Sequence, residues 1–200
     1  MITLPYMEQC SPEWFDLRAG RPTASEFDKI VTSTGKPSTQ RQAYLYRLAG
    51  EIVLGTTEQS HETQWMTRGK ELEAEARAVY QMENETEVDQ VGFCLHDSEK
   101  FGCSPDGLIG EDGGLEIKCP SLAVFVEYAI CGRVPAKYVM QVQGSLLVTG
   151  RKWWDFFAYY PGMKPFIFRA EPIIKIQRIL NDELDLFCED LETVTKKLIG

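Results

Sequence analysis

Two carboxylates and a lysine lie close together in Cys103-Ser-Pro-Asp106-Gly and Leu115-Glu116-Ile-Lys118-Cys-Pro120. Between them Glu111-Asp-Gly-Gly114 reads as a hairpin turn, so Asp106 and Glu116 fall on its two arms and their carboxylates can meet. Glu116 and Lys118 are two apart on one strand and share a face. Hard oxygen donors of this kind suit Mg²⁺ or Mn²⁺, held by a few carboxylates together with water and substrate phosphate. The carbonyl of Ile117 is a candidate further ligand. The lysine would orient or deprotonate an attacking water, or offset charge on a phosphorane-like transition state. An exposed hairpin with an incidental Glu–Lys pair has the same spacing. The apolar Leu115, Ile117 and Cys119 favour the site, because they leave the two charged side chains together on the other face.

Other chemistries have little to work with. The six cysteines stand at 10, 94, 103, 119, 131 and 188, with no CxxC pair and no zinc-ribbon or iron–sulfur spacing. They read as reduced thiols of a cytosolic protein, those at 94, 103 and 119 in apolar, strand-like surroundings. His61 and His96 are the only histidines. Carboxylates and lysines must carry whatever chemistry there is.

The elements that position the hairpin can be read from capping and periodicity. Ser11-Pro12 opens a helix through Arg18, ended by Gly20. Thr23-Ala-Ser-Glu26 has a capping-box pattern and predicts a second helix. A third carries Tyr44, Leu45, Leu48, Ile52 and Val53 on one face, and a fourth covers 65–82. Val91, Phe93 and Leu95 alternate as in a half-buried strand. Residues 121–131 and 137–148 read as helices, and Trp153–Tyr160 with Phe166–Ala170 as a hairpin about Pro161-Gly162. A last helix has Ile173, Ile176, Leu180, Leu184, Phe187, Leu191, Val194 and Leu198 at steps of three and four, a core or subunit-contact stripe. With no repeat or linker visible, the chain reads as a single α/β domain over residues 1–200, a central mixed sheet flanked by helices.

Charge narrows the function. The net charge of −9 argues against a basic module that coats DNA non-specifically, because such binding rests on cations neutralising phosphates. Acidity is concentrated in residues 51–120, with sixteen acidic and five basic groups, whereas 121–170 hold two and six. Glu83, Glu85, Glu87 and Asp89 read as a solvated face. No apolar stretch reaches the roughly 18 residues of a membrane span, and the start MITLPYMEQC lacks a basic n-region. A protein that stays in the cytoplasm, away from membranes, is expected.

SPDG followed by LEIKCP resembles the PD-(D/E)xK nuclease signature, in particular that of the phage lambda exonuclease-like, YqaJ-type recombination nucleases. Trp14-Phe-Asp-Leu-Arg18-Ala-Gly20 with Thr23-Ala-Ser25-Glu resembles the family's opening motif. Arg68-Gly-Lys70-Glu-Leu-Glu73-Ala-Glu-Ala-Arg77 resembles its acidic helix, Tyr138-Val-Met-Gln141-Val-Gln143 its Y-x-x-Q-x-Q helix, and Trp153–Tyr160 its aromatic strand. The resemblance implies that Asp106 and Glu116 hold the metal, that Lys118 is the catalytic lysine, and that Glu73 assists with metal or water. It implies a 5′-phosphate site of Arg18, Ser25, Ser104 and Gln141, with Gln143 either lining the same cleft or packing its helix. Met66 falls near the place of an apolar wedge that splits the terminal base pair. One departure stands out: no Arg or Lys occurs in 121–130, where the family's prototype has a phosphate-contacting arginine.

The function so implied is a Mg²⁺-dependent (or Mn²⁺-dependent) 5′→3′ exonuclease. It would degrade one strand of linear double-stranded DNA to mononucleotides and leave a 3′ overhang for recombination by strand annealing. A homotrimeric ring, an acidic exterior, a single-strand annealing partner and a phage or prophage origin in a bacterial cell are implied with it. Two alternatives remain at this stage. One is an endonuclease or Cas4-like nuclease on the same core, and the other a catalytically silent DNA-end-binding protein.

Overall fold

The computed structural model describes residues 1–4, 7, 9, 11–57 and 64–200, leaving aside the side chains of 64–67 and 70. Ser11 caps α1 (Pro12–Arg18), its hydroxyl accepting from the Trp14 N–H at 3.2 Å. The Thr23–Glu26 pattern yields a single 3₁₀ segment, Ala24–Lys29, instead of an α-helix. Its cap is taken elsewhere: the Thr23 hydroxyl accepts from Arg18 Nη2 at 3.0 Å, and Glu26 pairs with Lys29 and Arg47. Helix α2 (Arg41–Leu54) buries Tyr44, Leu45 and Leu48 and stops at Gly55, whose φ of +68° suits glycine. Ile52 and Val53 in its last turn are exposed, Ile52 resting over Gly20. Helix α3 spans Gln64–Asn84.

Among the described residues seven strands form two sheets. In the first, β1 (Ile2–Leu4), β2 (Phe93–Leu95) and β3 (Gly102–Cys103) are antiparallel in the order β1-β2-β3. The alternation at Val91–Leu95 suggested a half-buried strand, yet Phe93, Cys94 and Leu95 are all buried. As the middle strand, β2 is covered on both edges, and the helix Ala136–Thr149 packs against it. The second sheet has the order β4-β5-β6-β7, with β4 (Gly107–Ile109), β5 (Gly113–Lys118), β6 (Trp153–Ala158) and β7 (Phe166–Ala170). Only β5 and β6 are parallel, so this sheet is mixed. A parallel pair needs a long crossover, and α4 (Leu122–Cys131) with α5 (Ala136–Thr149) supplies it. The expected central mixed sheet is this four-stranded one, and the three-stranded antiparallel sheet joins it through Ser104–Asp106 between β3 and β4.

The sheets are packed from both sides. Leu115 and Ile117 of β5 join Phe157 and Tyr159 in a small core with Ala76 and Tyr80 of α3. The opposite face belongs to the main core, where Phe156 and Trp154 meet Met140 and Leu146 of α5 and Leu184 and Phe187 of α6 (Ile174–Ile199). Each fully buried aromatic or leucine side chain contributes about 1.5–3 kcal/mol through removal from water. Helix α6 packs on α2, with Phe187 stacked on Tyr44 at 5.5 Å between ring centroids, while Ile173 and Leu198 at the ends of its stripe are exposed. The acidic run Glu83–Asp89 is solvated at each of its carboxylates. Among the described cysteines, all free of disulfides, Cys94, Cys103 and Cys188 are buried and Cys119 half-buried; Cys131, on the outer side of α4, is exposed. No helix among the described residues is long and apolar enough to cross a membrane.

Candidate active site

The hairpin register decides where the acidic groups go. Gly107 of β4 stands opposite Leu115, which sets Asp106, just before β4, across from Glu116. Asp106 Oδ2 accepts the backbone N–H of Ile117 at 2.6 Å, tying the loop to the strand that carries Glu116 and Lys118. Glu116 and Lys118 share one face of β5 and form an ion pair, Nζ to Oε1 at 2.5 Å. Gln141 Nε2 from α5 donates to the same Glu116 oxygen at 2.6 Å. Glu73 of α3 reaches the same cleft, held by Arg77 at 2.5 Å. Arg77 in turn donates through Nε to the Asp106 carbonyl at 3.1 Å, so one guanidinium fixes both acidic residues.

Burial dominates the electrostatics. It pushes the Glu116 carboxyl up to about 7, with Lys118 pulling it down and Asp106 adding to the rise. Burial also raises Asp106, against the pull of Lys118. Glu73 is raised by burial and by the Asp106 charge. Burial opposes the charge on Lys118, yet Glu116 and Asp106 overcome it and hold the ammonium above its ordinary value. Crowded, desolvated carboxylates of this kind accept a divalent cation readily, because it replaces the protons they would otherwise retain. Among the described residues no group of three His, Cys, Asp or Glu side chains converges into a preformed cage. The oxygen donors Asp106 and Glu116, with Glu73 beside them, fit a small hard ion that keeps waters and takes ligands from substrate. Ile117 lines the cleft as well, its N–H engaged by Asp106.

A second cluster adjoins the first. Arg18 Nη1 donates to Ser104 Oγ at 3.2 Å, and Nη2 to Thr23 Oγ1 at 3.0 Å and Ser25 Oγ at 3.4 Å. The indole N–H of Trp14 donates to the same Ser104 oxygen at 3.0 Å, and the Arg18 guanidinium lies 4.2 Å from the Trp14 ring centroid. A guanidinium presented among three hydroxyls is suited to a phosphate dianion. Both clusters line one open cleft of about 640 Å³.

The structure therefore brings Arg18, Ser25, Glu73, Ser104, Asp106, Glu116, Lys118 and Gln141 to one place. Gln143 goes elsewhere. It is buried, its amide donating to the Glu171 carbonyl at 2.9 Å and its oxygen accepting from the Ile173 N–H at 2.8 Å and Gln177 at 2.9 Å. Gln143 thus anchors the start of α6, the packing role of the two left open for it, and lies outside the cleft. The Met66 side chain lies outside the described residues. Three participants had no role assigned from sequence: Trp14, Arg77 and Tyr138, whose ring lies 4.9 Å from Lys118 Nζ. Arg77, four residues after Glu73, had a signal in the helical i,i+4 spacing.

Comparison with known proteins places the chain in a family. The sequence profile of the YqaJ-like viral recombinase domain matches residues 13–152. Among solved structures, an alkaline exonuclease (LHK-Exo) from Laribacter hongkongensis is 34% identical, with 94% of this chain and 96% of that one covered and a TM-score of 0.86. The same enzyme in complex with dAMP matches equally. A phage related exonuclease from Haemophilus somnus 129PT shares the fold at 11% identity and a TM-score of 0.68, over 89% of this chain and 96% of its own. No curated protein sequence matches. With a mixed sheet and the Asp106, Glu116 and Lys118 arrangement, the fold is of the PD-(D/E)xK type.

Proposed function

Because the chain belongs to the YqaJ-like viral recombinase domain family, we propose that it is a metal-dependent 5′→3′ exonuclease acting on linear double-stranded DNA. It releases mononucleotides from one strand and leaves a 3′ single-stranded overhang for recombination by annealing. The observation that carries this reading is the single cleft in which Asp106, Glu116 and Lys118 adjoin the Arg18–Ser25–Ser104 cluster. The Laribacter enzyme has been solved in complex with dAMP, a mononucleotide, which fits such a product.

In this reading Asp106 and Glu116, with Glu73 and the Ile117 carbonyl in support, hold Mg²⁺ or Mn²⁺. The ion, when bound, polarises the scissile phosphate and lowers the pKa of a coordinated water. Lys118 presents a fixed ammonium toward the developing charge. Gln141 keeps the Glu116 carboxylate oriented through its amide. Arg18 and its hydroxyl partners take the terminal 5′ phosphate and place the next linkage at the carboxylates, which is proximity catalysis. Rings of three chains around the duplex, an annealing protein as partner, and a phage or prophage origin in the bacterial cytoplasm complete the proposal.

The test uses linear duplexes labelled separately at each 5′ and 3′ terminus, with Mg²⁺ or EDTA, for wild type and Lys118→Ala. Early release of the 5′ label as mononucleotide, abolished by EDTA and by the substitution, is expected. Binding to ends with no cleavage under any divalent metal would overturn the proposal.

A further inference from the structure

Two ammonium groups flank one aromatic ring in the cleft. Lys118 Nζ lies 4.9 Å and Lys137 Nζ 4.8 Å from the Tyr138 ring centroid, so they are at most about 10 Å apart. Lys118 is taken by Glu116. Lys137, exposed in the first turn of α5, rests on Tyr138 and on Tyr128, 5.7 Å from the latter's centroid. The Tyr128 hydroxyl acts on its charge most, followed by burial and by Tyr138. The hydroxyl of Tyr128, a residue only 3% exposed, is buried facing Lys137 and Tyr138, with no well-aligned hydrogen bond to either. Such a hydroxyl costs stability and calls for an explanation. Tyr128, Lys137 and Tyr138 all line the cleft that holds Asp106, Glu116 and Lys118.

A cation resting on two aromatic rings, with a hydroxyl lacking a well-aligned acceptor beside it in an anion-processing cleft, matches one ligand chemistry, a phosphodiester oxygen. They belong to α4 and α5, whereas the Arg18 cluster belongs to α1 and the segments near it. We propose that Lys137, assisted by the Tyr128 hydroxyl, binds a second backbone phosphate of the DNA strand, close to the scissile one. This inference rests on the nuclease reading and deepens it: the Arg18 cluster holds the strand's end, and Lys137 holds its continuing backbone in register.

The experiment titrates a short, blunt, 5′-phosphorylated duplex onto the full chain with Ca²⁺ in place of Mg²⁺, across a series of NaCl concentrations. Lys137→Gln is expected to weaken binding several-fold and to lower the slope of log affinity against log salt by about one, the signature of one lost phosphate contact. Lys137→Arg restores both, and Tyr128→Phe weakens binding less without lowering the melting temperature. In degradation assays with Mg²⁺ the loss from Lys137→Gln falls on KM more than on kcat. A neutral methylphosphonate, walked one linkage at a time, locates the contact: at one linkage it weakens the wild type and leaves Lys137→Gln unaffected. A folded Lys137→Gln with an unchanged salt slope and a wild-type response at every linkage would overturn the inference, leaving the lysine as a cap on the two rings. A wild type that neither binds nor cleaves duplex ends would overturn the nuclease reading itself, so the two failures are told apart.

Discussion

Asp106 receives a hydrogen bond, 2.6 Å long, from the peptide N–H of Ile117, the residue between Glu116 and Lys118. One carboxylate therefore serves two ends, as a candidate metal ligand and as the clamp that sets the strand bearing the other two groups. The two roles separate by mutation. Asp106→Asn keeps an acceptor oxygen for Ile117 and is expected to fold as the wild type does, with nuclease activity reduced at least about 100-fold. Asp106→Ala leaves a buried N–H unpaired and should lose about 1–3 kcal/mol of stability as well. Denaturant titration beside the end-label assay checks both; equal stability of the two variants would refute the clamp.

Arg18 is held as a fork among Ser104, Thr23 and Ser25. Preference for 5′-phosphorylated over 5′-hydroxyl ends should therefore depend on its planar geometry. Arg18→Lys, which keeps the charge and loses the fork, is expected to bring the ratio of the two degradation rates close to one. A retained preference would place terminal-phosphate recognition elsewhere.

The glycines at the head of β5 are spatial requirements. A Cβ on Gly114 would come within 2.2 Å of the Trp154 ring, which is fully buried. Gly114→Ala must push Trp154 or β5 aside, at a cost of about 1–3 kcal/mol. For a chain of this size that is a fall of roughly 2–12 °C in melting temperature. Scanning calorimetry reads it directly, and activity should fall too because Glu116 is two residues further along the displaced strand.

Thiol chemistry gives a pH prediction away from the cleft. Burial pushes the Cys188 thiol up to about 11 from its ordinary 9, while Cys131 is exposed. Since the folded value is raised, folding favours the protonated thiol. The stability this lends is complete below pH 9 and is lost as pH rises toward 11. At pH 8 iodoacetamide should label Cys131 rapidly and leave Cys188 intact in the native protein, as peptide mass mapping would show. Rapid native labelling of Cys188 would contradict its burial.

What was legible in the sequence was local. Asp106, Glu116 and Lys118 lie on a hairpin whose turn and alternation are written in consecutive residues, so their juxtaposition follows from strand geometry alone. The Thr23–Glu26 capping box failed because its hydroxyl and carboxylate are claimed by Arg18, Lys29 and Arg47, two of them outside the segment. Gln143 could have been separated from Gln141 beforehand. Two residues along a helix turn by about 200°, which sends their side chains to opposite sides. Strand β1 is three residues long and carries no periodicity to read. The tyrosines of α4 and α5 stand on separate helices, and their relation to the lysines exists only once the crossover folds back onto β5.

That crossover has a consequence for the order of assembly. Asp106 and Glu116 meet by closing a short loop, which is fast, but β6 pairs with β5 only after α4 and α5 have been laid down between them. A chain emerging from the ribosome thus carries its three reactive side chains well before it has a cleft. Until α5 docks, Glu116 is without Gln141 and stands in water, where its carboxyl titrates as an ordinary glutamate. The candidate site is in this sense a late property of the folding chain, completed with the closing of the second sheet.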